Sequence, residues 1–318
     1  MPIPTNKSKS RDQQEPRVRW ALFAPQYWPT WLGLGMLRLL EPLPYPLLMG
    51  LGKWLGRIVR CLPLNFVRIA RANLKLCLPD RPERERETLL NRHFESLGMG
   101  LMEFALAWWS PDERIRNLTQ LDGVENLQNA LARGRGVLLL SAHFTTLEIS
   151  GRALTVRYPD VNIMYRPTSN PVMSHFLARN RARKLKRAIQ RDDIRSLITA
   201  LKDNEMVWYA SDQAYRKKGA QMVPFFGIPA ATNTATSRVA KMTGAAVLPY
   251  FSERLPNNRG YRITIHPAFE NFPSDDPAAD ALRYHHAIEA HVQQAPEQYL
   301  WIHRRFKGLG EGYPEYYG

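Results

Sequence analysis

The sequence predicts an α/β fold: a central, mostly parallel or mixed sheet flanked by helices, with an N-terminal hydrophobic helical segment. Two observations carry this. Short apolar runs alternate with helical patterns from residue 136 to 294, and strands separated by helices need crossovers that favour parallel pairing. Polar side chains also follow three of those runs directly, at the positions where open α/β sheets collect ligand sites. A chain of 318 residues can bury one large core and still carry an appendage.

Taken in order, residues 1–19 read as a basic, disordered tail. Residues 20–64 form a hydrophobic helical segment interrupted by Glu41-Pro-Leu-Pro-Tyr-Pro46, whose prolines break any single helix. No stretch there gives about 20 uncharged residues, so a simple spanning helix is not secured. Trp20, Trp28, Trp31 and Trp54, with basic residues at both ends, suit a bent span or a helical hairpin lying at a membrane interface. A buried helical pair is the plainer alternative, and membrane anchoring is the expectation. Polar, basic residues fill the first twenty positions, so no secretory leader is expected. Residues 65–120 are helical, with Pro82-Glu-Arg-Glu marking a helix start.

From 121 to 318 the α/β domain follows. Strands are expected at 136–141, 162–165, 206–210, 246–252 and 260–266. Helices are expected at 145–157, 171–189, 192–203, 233–243 and 278–294, with a glycine-containing loop before the fourth.

The chain carries 44 Lys or Arg against 29 Asp or Glu, a net charge of +15. Its partner is therefore anionic: nucleic acid, an acidic lipid surface or an acidic protein. Cys61 and Cys77 form no disulfide framework, which fits a reducing compartment. GxSxG, GxxxxGK[ST] and GxGxxG are all missing, so a hydrolase serine and nucleotide cofactors have no support. His285, His286, Glu289 and His291 lack the HExxH spacing and read as a polar helix face, so no metal is expected.

The densest chemistry is Gly136-Val-Leu-Leu-Leu-Ser-Ala-His143-Phe-Thr-Thr-Leu-Glu148. An apolar strand delivers a histidine, and a carboxylate follows five residues later. On one continuous helix those side chains would lie roughly 140° apart. They cooperate only if His143 sits in a loop and the helix starts after it. Thr145-Thr-Leu-Glu148 reads as a capping box with Thr145 as N-cap. His143 would then be a general base and Glu148 the acid that orients it and stays ionised at the helix N-terminus. A turn histidine and a capping glutamate explain the same spacing. Arg166, in Tyr165-Arg-Pro167, and the pair Asp212-Gln213 leave two further strands. Surface arginine and ordinary turn chemistry explain each alone, but three such ends in one sheet point to a site. The basic run Arg179-Asn-Arg-Ala-Arg183-Lys184-Leu-Lys-Arg187 is a candidate anion-steering patch.

With these pieces in place, the chain resembles the late acyltransferases of lipid A biosynthesis in Gram-negative bacteria. The resemblance runs from Tyr27 to Lys307 through Leu43-Pro-Tyr-Pro46, Ala72-Asn-Leu-Lys-Leu-Cys-Leu-Pro79, His143-Phe-x-x-Leu-Glu148, Tyr165-Arg-Pro167 and Asp212-Gln213. It continues through Pro224-Phe-Phe-Gly227 and Ala295-Pro-Glu-Gln-Tyr-Leu-Trp-Ile-His-Arg-Arg-Phe-Lys307. Ser211 departs from it, since relatives often have proline before Asp-Gln. The resemblance implies a glycerolipid acyltransferase-like fold and an enzyme on the cytoplasmic face of the inner membrane. It would move a fatty acyl chain, laurate by default, from acyl carrier protein to a hydroxyl on the Kdo-bearing lipid A precursor, without a cofactor. His143 and Glu148 would be catalytic. Arg166, Asp212 and Gln213 would bind substrate, and Arg183, Lys184 and Arg187 would steer the anionic partners. An acyltransferase acting on glycerol phosphate is the nearest alternative. A basic nucleic-acid-binding protein is the alternative from another class, and the expected patterns of such a protein are missing.

Overall fold

The computed structural model describes residues 20–216, 219–308 and 312–317; the basic tail expected at 1–19 lies outside them. Five helices come first: α1 (Trp28–Leu40), α2 (Tyr45–Cys61), α3 (Asn65–Cys77), α4 (Glu83–Trp109) and α5 (Asp112–Leu118). Pro42 and Pro44 lie between α1 and α2, and Pro46 sits in the first turn of α2, where a missing amide hydrogen costs nothing. Then follow β1 (Thr119–Asp122), α6 (Val124–Leu131), β2 (Val137–Ser141), α7 (Leu147–Thr155), β3 (Asn162–Tyr165), α8 (Pro171–Lys184), β4 (Arg187–Gln190), α9 (Ile194–Lys202) and β5 (Met206–Ala210). The chain continues with β6 (Ala220–Phe225), β7 (Ile228–Asn233), α10 (Ala235–Thr243), β8 (Ala246–Arg254), β9 (Tyr261–Ile265) and α11 (Pro277–Gln294).

The main sheet has the order β1-β9-β8-β2-β5-β3-β4 and is parallel except for the β8–β9 pair. The mixed, mostly parallel sheet expected from the alternation is therefore present. Besides the added β1 and α6, three details differ from expectation. The first is β4, which lies where a long helix was expected, because Leu185 is buried and turns the chain back into the sheet. The second is the expected glycine-containing loop, which holds an antiparallel hairpin, β6–β7. It turns on Phe226 (φ 49°) and Gly227 (φ 74°), two left-handed residues as a tight two-residue hairpin needs. The third is α7, which begins at Leu147 after Thr146 with no side-chain cap, so Thr145 closes no capping box. Its hydroxyl is held instead by Ser96 on α4, at 2.7 Å.

β2 is buried along its whole length, and its alternating side chains separate two cores. Leu138 and Leu140 pack with α3, α9, α10 and α11. Val137 and Leu139 pack with α2, α4, α6 and α7. A strand buried on both faces reads as a continuous apolar run for this reason.

The N-terminal segment is a helical hairpin joined tightly to this body. A Cβ on Gly98 of α4 would lie 2.0 Å from the carbonyl oxygen of Gly52 on α2, so the two backbones touch. No helix among the described residues is long and apolar enough to cross a membrane, so a spanning helix gains no support. The outer faces are nonetheless apolar. Trp28, Leu32, Met36 and Leu39 make one exposed stripe along α1, with Leu39 81% exposed. Leu47, Trp54 and Ile58 continue it on α2.

Candidate active site

The site is built by the register of two neighbouring parallel strands. Ser141 at the end of β2 pairs with Ala210 at the end of β5. Two residues beyond those ends stand His143 and Asp212, so the ladder brings them side by side. The Asp212 Oδ1 accepts from the ring Nδ1 of His143 at 2.5 Å, and Oδ2 accepts from the His143 backbone N–H at 3.0 Å. A third donor, the Tyr299 hydroxyl, reaches Oδ2 at 3.1 Å. Asp212 is 2% exposed.

The electrostatics follow from that burial. Desolvation pushes the Asp212 carboxyl up, but the facing His143 ring outweighs it and holds the group well below the usual carboxylate range. For His143, desolvation disfavours the imidazolium, yet the Asp212 carboxylate prevails and the pKa is raised. An ionised carboxylate only accepts, so Nδ1 carries the hydrogen and Nε2 keeps its lone pair. That is the tautomer and orientation a general base needs.

The loop bearing His143 is fixed by the C-terminal segment. Leu300 N donates to His143 O at 3.0 Å, Thr145 N donates to Gln298 O at 2.8 Å, and Phe144 bridges to Tyr299. His303 accepts from Ala214 N at 3.2 Å just past Asp212, and burial lowers its pKa to about 4. The buried Arg305 ties the same segment to Ala231 and Thr232 of β7. The Tyr284 hydroxyl of α11 donates to Ser141 O under the end of β2.

Glu148 does not orient the histidine; that position belongs to Asp212. Glu148, in the first turn of α7, lines the same cavity and faces the Arg181 guanidinium. Burial raises its pKa and Arg181 pulls it back, so the helix terminus does not leave it as an ordinary ionised glutamate. The geometry separates the two acids because Asp212 arrives on the adjacent strand, whereas Glu148 follows on α7, which turns away along one sheet face.

The cavity measures about 910 Å³ and is lined by His143, Glu148, Arg166, Gln213 and Lys184 among others. Five of the eight sequence-derived site residues therefore share it, with Asp212 bonded behind the histidine. Arg183 faces a separate groove with Phe176 and Arg179. Arg187 belongs to β4 and lies 3.7 Å from Glu205, which also pairs with Lys186 at 2.7 Å. The basic run is thus split between α8 and a strand and does not form one helical face. Tyr299 is the participant that sequence reasoning missed, and Arg181, expected only as one member of the basic run, faces Glu148 instead. Tyr299 sits inside the Gln-Tyr-Leu-Trp run that carried the resemblance, but only the fold shows its contact. Among the described residues, no group of three or more His, Cys, Asp or Glu side chains converges as a metal site would.

Residues 15–308 match the family model described as bacterial lipid A biosynthesis acyltransferase. The lipid A biosynthesis lauroyltransferase of Escherichia coli (strain K12) is 39% identical over 303 residues, covering 95% of this chain and 99% of that protein. The lipid A biosynthesis palmitoleoyltransferase of the same strain is 41% identical over 284 residues, covering 89% and 92%. Its lipid A biosynthesis myristoyltransferase is 26% identical, covering 94% and 93%. The crystal structure of the 1-acyl-sn-glycerophosphate acyltransferase PlsC from Thermotoga maritima aligns with a TM-score of 0.35 at 12% identity, over 72% of this chain and 95% of that one.

Proposed function

Because the chain belongs to the bacterial lipid A biosynthesis acyltransferases, we propose that it moves a fatty acyl chain from an acyl carrier protein thioester to a hydroxyl of a hydroxyacyl chain on the Kdo-bearing lipid A precursor. It is an acyltransferase acting in lipid A biosynthesis; donor, acceptor position and the roles below are the proposal. The observation that carries it is the buried Asp212 holding Nδ1–H of His143 while the ring borders a cavity sized for lipid chains.

In this reading Nε2 of His143 removes the acceptor hydroxyl proton as the oxygen attacks the thioester carbonyl. The new C–O bond forms, the C–S bond breaks, and the imidazolium returns its proton to the departing thiolate. Asp212 stabilises the imidazolium in between, as an orienting acid does in a triad. No acyl-enzyme is needed. Glu148 and Arg181 line the wall beside the reacting centre, and Arg166 and Gln213 contact substrate at the strand ends. Laurate is the default chain. The enzyme works at the cytoplasmic face of the inner membrane, where the apolar stripe of α1 and α2 lies in the interface. Washing membranes with concentrated salt should leave it bound, and quantitative release would contradict the apolar attachment.

The test is a purified transfer assay read by mass spectrometry of the lipid product. Replacing His143 with Ala should cost on the order of 10²–10⁴ in rate with folding preserved. Near-normal turnover by that variant would remove the mechanism.

A further inference from the structure

The cavity is not confined to one side of the sheet. Ile163 and Met164 are successive residues of β3, and Trp208 and Tyr209 are successive residues of β5; all four line the cavity. Successive strand residues point to opposite faces, and the two cores record the same split. Ile163 and Trp208 belong with the α7 side, Met164 and Tyr209 with the α9 and α10 side. The cavity therefore wraps over the carboxyl edge of the sheet and descends both faces, with His143 at the crest.

The two arms differ in chemistry. On the α7 side the wall includes Leu147, Gly151 and Thr155, spaced four apart on one helix face, and Leu177 and Leu185 from α8 and its end, with Glu148 and Arg181 bordering it. This arm runs toward Trp108, Arg152, Thr155 and Lys184, which also line the neighbouring groove. Arg152 is locked there by Thr155 at 3.1 Å and by Asp112. Thr155, Leu177 and Leu185 are buried, so this arm lies inside the protein. On the other side Val239, Met242 and Ile194 line the arm, and Met242 is 61% and Ile194 41% exposed, so that arm opens to the surface. Arg166, Arg191 and Arg238 also line the cavity, with Asp192 3.7 Å from Arg191, so cations outnumber the one carboxylate there. An apolar lip among cations suits a chain that belongs to an amphiphile with an anionic headgroup.

We infer that the α7 arm receives the donor acyl chain and sets its length, while the α9–α10 arm receives the hydroxyacyl chain of the anionic acceptor, the two meeting at His143. This assignment rests on the acyl-transfer reading above. A donor chain leaving a soluble carrier must be taken inside the protein, which the buried arm provides. The acceptor keeps its headgroup outside, which the open arm with its arginines permits. Gly151 is the natural length determinant. A Cβ there would meet only the Ile163 Cδ1, at 3.7 Å, an ordinary contact, so a larger side chain projects into the arm. Each methylene denied burial should cost about fourfold in selectivity.

The experiment uses the full chain in detergent micelles with carrier thioesters of 8 to 16 carbons (a range of about one arm length either way) and the lipid A precursor as acceptor. Gly151→Leu should move the preferred donor to a shorter chain. Leu177→Ala, which acts from α8, should move it to a longer one and guards against a misfolded glycine variant. Neither should change the acceptor KM more than about twofold. The Arg191→Glu, Arg238→Glu pair should raise the acceptor KM by tenfold or more, on the order of two lost charge contacts, with the donor length profile unmoved. If wild type transfers well but the Gly151 and Leu177 variants keep its length profile, or change the acceptor KM instead, the two-arm assignment is overturned. If wild type takes no acyl group from any carrier thioester, the parent reading fails instead.

Discussion

Replacing Asp212 with Asn tests the centre of the site with almost no change in shape. The carboxylate accepts three hydrogen bonds, from the His143 ring, the His143 backbone N–H and the Tyr299 hydroxyl. An amide has one accepting oxygen and one donating NH₂. If the oxygen stays toward the backbone N–H and Tyr299, the NH₂ faces Nδ1, and the ring must move its hydrogen to Nε2. The base is then in the wrong tautomer. If the amide flips, two donors collide at the backbone N–H. The expected loss is about 10³–10⁴ in kcat, or about 4–5.5 kcal/mol of barrier. The pH profile adds a second readout. Burial disfavours the His143 cation and Asp212 more than reverses this, so the wild-type pKa is raised. The base works deprotonated, so activity falls as pH drops through that raised pKa. In the Asn variant only burial remains, and the acid limb should move to lower pH. The assay is kcat at saturating donor and acceptor from pH 5 to 9 (the range about the free imidazole value), with circular dichroism to confirm folding. A folded variant within about threefold of wild-type kcat, below the span of general-base effects, would refute the reasoning, as would an acid limb that stays in place.

Other outcomes follow from the same geometry. Glu148→Gln should lower transfer yet leave the acid limb where wild type has it, because Glu148 does not touch the ring; a shift equal to that of Asp212→Asn would return Glu148 to the orienting role. Gly98→Ala should destabilise the chain by about 3 kcal/mol or more in chemical denaturation, since its methyl overlaps the α2 backbone; a change under about 1 kcal/mol would show the helices are free to part. Reversing Arg183, Lys184 and Arg187 to Glu should raise the apparent KM for carrier-linked donor and flatten its salt dependence, with kcat little changed. Identical kinetics would remove the steering role, as would tight nucleic-acid binding by wild type that the triple variant loses.

What the sequence revealed and what it hid divide along locality. β3 and β5 were legible to the residue because each is a short apolar run between turn residues. The strand β4 was hidden because Arg187-Ala-Ile-Gln190 sits in a basic run that continues a helix pattern; only its parallel pairing with β3 makes it a strand. The hairpin β6–β7 was hidden by Pro224 and the glycines around it. His143 was legible from its place after β2. Its partner was not, because β2 and β5 are neighbours only through a crossover that skips β3 and β4. The nearer carboxylate, Glu148, was therefore assigned the role that Asp212 fills. Thr145 was misread as a cap for a similar reason, since the helix α4 lying across it offers the Ser96 hydroxyl.

The glycine contact between α2 and α4 has a mechanical consequence. α4 has 27 residues, a strut of about 40 Å. It is clasped to α2 near its middle and places Ala107 and Trp108 in the cavity wall at its far end. Whatever grips the outer stripe of α1 and α2 therefore grips the chemistry as well, through one stiff part with no hinge between. If α1 and α2 lie on a membrane as proposed, the N-terminal pair is a mount and not a tether: it would fix the tilt and height of the reaction chamber above that surface. Swapping it for a flexible anchor of equal grip would keep the protein in place while leaving the chamber mouth free to point anywhere.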